Sequence, residues 1–430
     1  MKTCRPFIDY FRQAAPYIHQ HRNKTFVFCL QDDGALDQFL QPILHDIAIL
    51  HSLRIRVVIV FGARHRINTE LNHGVFHNNC RITSPEAMRK IQEIIGARQI
   101  QISATLSMGL ANSPMQGASI QTSTGNFVIA KPIGIVDGVD FGLTGTIRKI
   151  RETPITQKLD QGEIVIIPPI GYSTTGEVFN LTTEMVASAV SETLNADKLL
   201  FFNDSYKTLL PQINHQHAIT PHVAKQLTPP DQTLAEIIHA AVSACEKTVN
   251  RAHIIPKDID GAILAELFTR DGAGLMITND AYDRIEQATI HDISSLLALI
   301  QPLEEQGILV RRSRELLETE LSTFSLLKRD NSVIGCASLK PFPEENVAEL
   351  GCLAISPDYQ KQGLADKLLT HIEKKAKDQR FSHLFCLTTH TSHWFLERGF
   401  EPTELSALPA QKKAFYNYSR QSKPYIKALN

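Results

Sequence analysis

The run Arg56-Val57-Val58-Ile59-Val60-Phe61, closed by Gly62, constrains the fold more than any other stretch of the chain. A strand that is apolar on both faces has to be covered on both, as in a parallel sheet packed between helices. Thr25 to Leu30 is a second such run, followed by a loop and a helical stretch from about Leu36 to Ser52. The pattern returns at Glu163 to Ile167, then as a helical stretch Thr182 to Asn195, then at Lys198 to Phe202. The first part therefore reads as an open α/β sandwich of roughly 275 residues. Thr208 to Gln232, rich in Pro, His, Gln and Thr, reads as an irregular excursion. Thr278-Asn279-Asp280 reads as a linker, and Ala288-Thr289-Ile290-His291-Asp292-Ile293 as the start of a new strand–helix unit. The expected division is residues 1–278, a linker at 279–283, and residues 284–430.

Composition removes several function classes. The chain has 430 residues, 43% of them hydrophobic, with a formal net charge of −1. That balance supplies no whole-chain attraction to nucleic acid or to an anionic membrane. No uninterrupted apolar run reaches about 18 residues, so no membrane-spanning helix is expected. Met1 to Pro6 lacks the apolar core of a signal peptide. Seven cysteines are scattered, an odd number without a Cys-x-x-Cys pair. Neither a disulfide framework nor a metal site is expected, and reduced thiols suit a cytoplasmic protein.

The chemistry is written near the C-terminus. Val347 to Ser356 alternates like a strand, Pro357-Asp358-Tyr359 turns, and Gln360-Lys361-Gln362-Gly363-Leu364-Ala365 leads into a helix from about Leu364 to Lys377. The unsatisfied N–H groups and positive dipole end of a helix start suit a pyrophosphate. Small residues at Gly363 and Ala365 let phosphates approach the backbone, and Lys361 adds positive charge. A second strand follows at His383 to Thr388, then a helix that stops at Arg398-Gly399-Phe400. This order resembles the GNAT acetyltransferase superfamily, in which two neighbouring strands part and acetyl-CoA lies in the gap. The resemblance implies acetyl-CoA as co-substrate. Its contacts would be Leu353, Ala354, Ile355, Gln360, Lys361, Gln362, Gly363, Leu364 and Ala365.

The front part resembles the amino-acid kinase fold. The stretches that carry this are Pro16 to Val27, Cys80-Arg81-Ile82-Thr83, Asn195 to Leu199, and Glu266 to Gly274. With Gly307 to Glu315, the whole chain resembles the two-domain bacterial N-acetylglutamate synthase family. The fold class that follows is α/β: an amino-acid kinase-like open sandwich, then a GNAT α+β domain. The kinase signatures are decayed. Where that family has Lys-x-Gly-Gly, this chain reads Leu30-Gln31-Asp32-Asp33-Gly34, and the second phosphate turn reads Gly62-Ala63-Arg64-His65-Arg66. The family's Asn-Ala-Asp segment is Leu181-Thr182-Thr183-Glu184 here. Carboxylates at a phosphate loop repel ATP, so a regulatory and assembly module is expected instead of a kinase.

The resemblance implies further roles. L-glutamate would be the acceptor, attacked through its α-amine, with Glu349 as general base. Glu349 alone also reads as a solvent-facing strand carboxylate. Thr388, or less favourably Tyr416 or Tyr418, would supply a proton or hydrogen bond to the leaving thiolate. Arg311 and Arg420 would hold carboxylates, although Arg311 to Arg314 also reads as a solvated basic loop. Cys352 would line the acceptor pocket as a packed strand residue. L-arginine would be a feedback inhibitor held by Tyr17, His253, Glu266, Gly272 and Gly274, with Glu266 taking the guanidinium and the loop backbone its α-carboxylate. A homo-oligomer, a hexamer by resemblance, is implied. Two other readings stay open: an arginine-binding regulator with a vestigial transferase, and a GNAT enzyme acting on another amine.

Overall fold

The computed structural model describes residues 5–108, 116–213, 215–279, 283–329, 332–360, 363–389, 391–414, 416–418 and 420–429. The chain divides into two compact units, Met1–Ala281 and Tyr282–Asn430.

The first unit begins with α1 (Arg5–His21), β1 (Thr25–Leu30), α2 (Leu36–Ser52) and β2 (Arg56–Phe61). Then come α3 (Pro85–Leu106), β3 (Ile164–Ile167), α4 (Thr183–Thr193) and β4 (Lys198–Phe202). It ends with α5 (Gln232–Lys247), β5 (Arg251–Ile255), α6 (Ala262–Phe268) and β6 (Leu275–Thr278). These strands form one sheet, in the order Ala218–Ile219, β6, β5, β4, β1, β2, β3, Thr122–Ser123. Every neighbouring pair is parallel except β5 with β6. Alternate residues feed two cores, as the period of two requires. Val27, Cys29, Val58, Val60, Leu199 and Phe201 pack against Val186, Val190, Leu234 and Ile237 of α4 and α5. Phe26, Phe28, Val57, Ile59, Phe61 and Leu200 pack on the other side against Leu44, Ile47, Ile91, Ile95 and Leu267. Each such large side chain contributes about 1.5–3 kcal/mol on burial, which is why the doubly apolar strands demand two helical layers.

The helix starts are locally encoded. Ser84 caps α3, its hydroxyl accepting from the Ala87 N–H at 3.1 Å, with Pro85 in the first turn. Two expectations need correcting. The supposed irregular excursion is built: a 3-10 segment Asp204–Ile213, the strand Ala218–Ile219 and a Thr220-capped turn Pro221–Ala224 send Leu209, Ile213, Ile219 and Ala224 into the core. Thr278 is no linker residue; it ends β6 and is 2% exposed.

The second unit begins with β7 (Asp283–Gln287), α7 (Ile293–Glu305), α8 (Arg314–Glu320) and β8 (Phe324–Arg329). β9 (Ser332–Phe342), β10 (Val347–Ile355), α9 (Leu364–Asp378) and β11 (His383–Thr388) follow, then α10 (Ala410–Ala414) and β12 (Lys423–Ala428). Its sheet runs β7, β8, β9, β10, β11, β12, Glu401–Pro402. All pairs are antiparallel except β10 with β11. The opening strand lies earlier than expected: Ala288 follows β7, and Thr289 and Asp292 form a capping box ahead of α7. Leu364, Leu368 and Ile372 of α9 pack on one face of the sheet. Leu296, Ile300 and Leu317 of α7 and α8 pack on the other, against Cys336, Cys352 and Ala354.

Candidate functional site

The ladder between β10 and β11 ends at Leu350 opposite Cys386. Beyond it β10 continues to Ile355 beside β9, while β11 continues to Thr388 beside β12. The two strands therefore part. The edge of Gly351–Ile355 that faces β11 has no strand partner among the described residues. A bulge marks the place: the register against β9 shifts between Cys336 and Ser338, and Cys352 sits at φ +47°. A left-handed non-glycine residue costs about 1–2 kcal/mol, a strain that bulges next to functional sites commonly hold. The expected cofactor residues Leu353, Ala354 and Ile355 lie on this diverging segment.

Pro357–Tyr359 then turns the chain, with Tyr359 buried, and Gln360 reaches back to the Ile355 carbonyl at 3.4 Å. Lys361 and Gln362 lie outside the described residues. Gly363 opens α9 at φ +72°, a conformation suited to glycine. A Cβ there would meet nothing within 4 Å, so the space beside it is open. Leu364 and Ala365 anchor the first turn in the core, and among the described residues no side chain caps it. The N–H groups of that turn are left to an external acceptor. Asp366, whose charge would oppose a phosphate there, is clamped by Arg398, whose Nη2 lies 3.1 Å from Oδ2. That hydrogen bond, first of all, holds its carboxyl below the usual range. Arg398 in turn stacks 4.0 Å from the Trp394 ring. The sequence motif alone does not show this link between the helix start and the Arg-Gly-Phe segment.

Glu349 stands in β10 just before the strands part. It is 8% exposed, and its Oε1 lies 2.5 Å from Lys412 Nζ on α10. Thr388 ends β11, its hydroxyl 2.9 Å from that of Thr391. Tyr416 donates its hydroxyl to the Ser422 carbonyl at 2.7 Å, and Tyr418 is exposed.

Of the adjacent arginines, Arg311 is exposed. Arg312 turns inward: its side chain is 18% exposed, Nη1 donates to the Val310 carbonyl at 3.2 Å, and Nε faces Glu320 at 3.9 Å. Glu320 also meets Lys340, the ladder partner of Glu349, so this group shares the face on which Glu349 stands. Arg420 donates to the Ile308 carbonyl, while its buried Nε finds no partner among the described residues. Burial, and then the nearby charge of Arg312, press the Arg420 guanidinium below its ordinary value. Two neighbouring guanidinium groups, one with an orphaned buried donor, make a receptor for an anion. Cys352 is buried beside them; the Cys336 thiol donates to its carbonyl at 3.3 Å. A side-chain interaction with the Cys336 thiol, ahead of the Arg312 charge, holds the Cys352 thiol below its usual value.

In the first unit four of the five expected effector residues, His253, Glu266, Gly272 and Gly274, lie together. His253 on β5 meets Glu266 of α6 through Nδ1 at 2.5 Å, and Lys198 lies 3.3 Å from its other nitrogen. The Ala273 and Gly274 N–H groups donate to Glu266 Oε2 at 2.6 and 2.8 Å. This differs from the expected division of labour, because the loop N–H groups serve Glu266 itself and not an external carboxylate. A Cβ on Gly272 would come within 2.5 Å of that oxygen, so only glycine allows the loop to close. Despite burial, the hydrogen bonds hold the Glu266 carboxyl down to about 2. Burial, then the Lys198 charge, lowers His253 to about 4. At neutral pH His253 is therefore uncharged, and its hold on Glu266 is a hydrogen bond. Tyr17 stands on α1 with its ring 6.3 Å from His21.

The old phosphate loops are filled by internal ion pairs. Lys257 pairs with Asp33, Arg98 faces the buried Asp32 at 3.9 Å, and Arg64 bridges Glu184 at 3.4 Å and Glu236 at 2.7 Å. The cations that would meet a nucleotide are committed to the protein's own carboxylates. Among the described residues no cluster of three or more His, Cys, Asp or Glu could hold a metal, and no helix is long and apolar enough to cross a membrane.

A mostly parallel α/β sandwich joined to a sheet that parts above a helix start defines a two-part protein of recognisable class. Residues 29–256 match the amino acid kinase family, and residues 290–400 match the acetyltransferase (GNAT) family. The chain is 44% identical to the amino-acid acetyltransferase of Azotobacter vinelandii over 99% of its own length and 100% of that protein's. Against the amino-acid acetyltransferase of Escherichia coli K12 the identity is 42%, with 97% and 96% covered. It belongs to the amino-acid acetyltransferase family. Among solved structures it is similar to N-acetylglutamate synthase from Neisseria gonorrhoeae complexed with coenzyme A and L-arginine: TM-score 0.87, 34% identity, 99% of each chain covered. The same enzyme complexed with coenzyme A and N-acetyl-glutamate matches with a TM-score of 0.61 at 36% identity, again over 99% of each chain.

Proposed function

We propose that this chain transfers the acetyl group of acetyl-CoA to the α-amine of L-glutamate, the first step of arginine biosynthesis. The observation that carries the reading is the parting of β10 from β11 directly after Glu349, with Arg312 and Arg420 close by. The open edge of Gly351–Ile355 suits the amide-bearing pantetheine arm, and the uncapped start of α9 suits the pyrophosphate. Arg312, in preference to Arg311, pairs with Arg420 on the acceptor's carboxylates.

The chemistry follows from the placement. The α-ammonium loses one proton to Glu349, directly or through water, and the proton then passes to solvent. The freed amine forms the C–N bond at the thioester carbonyl. Backbone N–H groups near Leu353 and Ala354 stabilise the oxyanion. As the C–S bond breaks, the second amine proton leaves with the thiolate, whose charge the Thr388 hydroxyl steadies. Tyr416 is already donating to Ser422, which favours Thr388 over it.

The first unit serves as a degenerate, regulatory module. Arginine enters the Glu266 pocket, its guanidinium replacing the His253 and loop contacts of that carboxylate. The assembly is a homo-oligomer, a hexamer by resemblance, built through the first unit; α1 presents exposed Phe7, Tyr10 and Phe11 to a second copy. A cytoplasmic location accords with six described cysteines that are all free. Thiol release from acetyl-CoA by purified protein, with glutamate and with or without arginine, tests the whole reading. No release with any of the common amino acids refutes it.

A further inference from the structure

The ion pair on Glu349 has a consequence for how the reaction is started. A general base accepts its proton at a free lone pair, and one of the two Glu349 oxygens, Oε1, is held by Lys412 Nζ at 2.5 Å. Both groups are largely shielded, the two side chains being 11% and 26% exposed, so the contact is more than a solvated surface pair. The root of the segment that carries Lys412 is fixed. Leu408 is buried with Phe342 and Phe385, and the Ala410 N–H donates to Glu345 at 3.0 Å. Lys412 itself rides on a five-residue helix with a flexible four-carbon stem.

We infer that Lys412 masks the base in the resting enzyme and is exchanged off it by the acceptor. The acceptor is a zwitterion. Its ammonium takes the place of the Lys412 ammonium on Glu349, and Lys412 takes up one of its carboxylates. Charge is conserved in the exchange, so neither Glu349 nor Lys412 is left unpaired in a part-buried setting, which would be costly. An acceptor with a carboxylate thus opens the base, and water alone does not. This guards the thioester: without the mask, Glu349 would take a proton from water, hydroxide would form the new C–O bond, the C–S bond would break, and acetate and coenzyme A would be lost. The inference rests on the reading of Glu349 as the base.

The test is thiol release from acetyl-CoA with and without glutamate, using the full-length protein and its variants Lys412→Met, Lys412→Arg, Glu349→Gln and the Lys412→Met/Glu349→Gln double. Lys412→Met is expected to raise acceptor-independent release, and to raise KM for glutamate, each about tenfold, as for the loss of one charge-assisted hydrogen bond. KM for acetyl-CoA stays unchanged. The double variant returns the acceptor-independent release to background. Lys412→Arg keeps the cation and should hold acceptor-independent release near the wild-type level. If Glu349→Gln loses turnover but Lys412→Met releases no more thiol than wild type without glutamate, the masking role is overturned and the base stands. If Glu349→Gln turns over normally, the base reading falls and the masking role with it.

Discussion

Replacing Glu266 by Gln tests the buried latch of the first unit most sharply. The Glu266 side chain is only 5% exposed, is ionised, and is bound by His253 and two backbone N–H groups. Despite burial, hydrogen bonds from His253 and the loop hold its carboxyl at about 2 against an ordinary 4.5; with His253 uncharged, the hydrogen bonds alone stabilise the fold at neutral pH by on the order of 2–3 kcal/mol. The sign follows from the depressed value. The contribution is complete above about pH 4.5 and is lost as pH falls through 4.5 toward 2. A glutamine keeps the shape but loses the charge, and its NH2 group confronts backbone donors. Calorimetry at pH 7 should show the first unit of Glu266→Gln melting roughly 5–10 °C below wild type. The gap should hold from pH 7 to about pH 5 and narrow as pH falls below about 4.5. Arginine should raise the wild-type melting temperature and leave the variant unmoved. A variant that melts within about one degree of wild type at pH 7 would refute the argument, since a buried charge with three donors cannot be removed without cost.

Other outcomes follow from the second unit. Arg312→Ala and Arg420→Ala should each raise KM for glutamate about 10- to 100-fold, the scale of a lost charge-assisted hydrogen bond, whereas Arg311→Ala should change it less than about twofold; steady-state kinetics with saturating acetyl-CoA decides. Glu349→Gln should depress turnover more at neutral than at alkaline pH, because the acceptor amine sheds its own proton in alkali, and an equal loss at both would remove the base role. Arg398→Ala frees the Asp366 carboxylate beside the helix start and should raise KM for acetyl-CoA severalfold without altering KM for glutamate. Gly363→Val forces a β-branched residue to φ +72° and should weaken coenzyme A binding in a thermal-shift titration, with little change in arginine binding.

Much of this was legible in the chain. Val57 to Phe61 dictated a strand covered on both faces, because periodicity and apolarity act locally. The order strand, turn, Gly363, helix announced a phosphate-sized helix start, because the dipole and the free N–H groups belong to any such helix. The aspartates at Asp32 and Asp33 argued against a kinase phosphate loop for the same local reason. Tertiary structure decided the rest. Whether Arg311 or Arg312 turns inward depends on a loop conformation no spacing records. Lys412 reaches Glu349 across 63 positions of sequence. Glu266 meets a loop that closes only at Gly272, and the parting of β10 from β11 depends on which residues the sheet register leaves opposite one another. Sequence governs what each short stretch prefers, through sterics, periodicity and unsatisfied backbone groups. The pairing of charges far apart in the chain is set by the packed sheet, because only its register and the loops it fixes bring them within hydrogen-bonding distance.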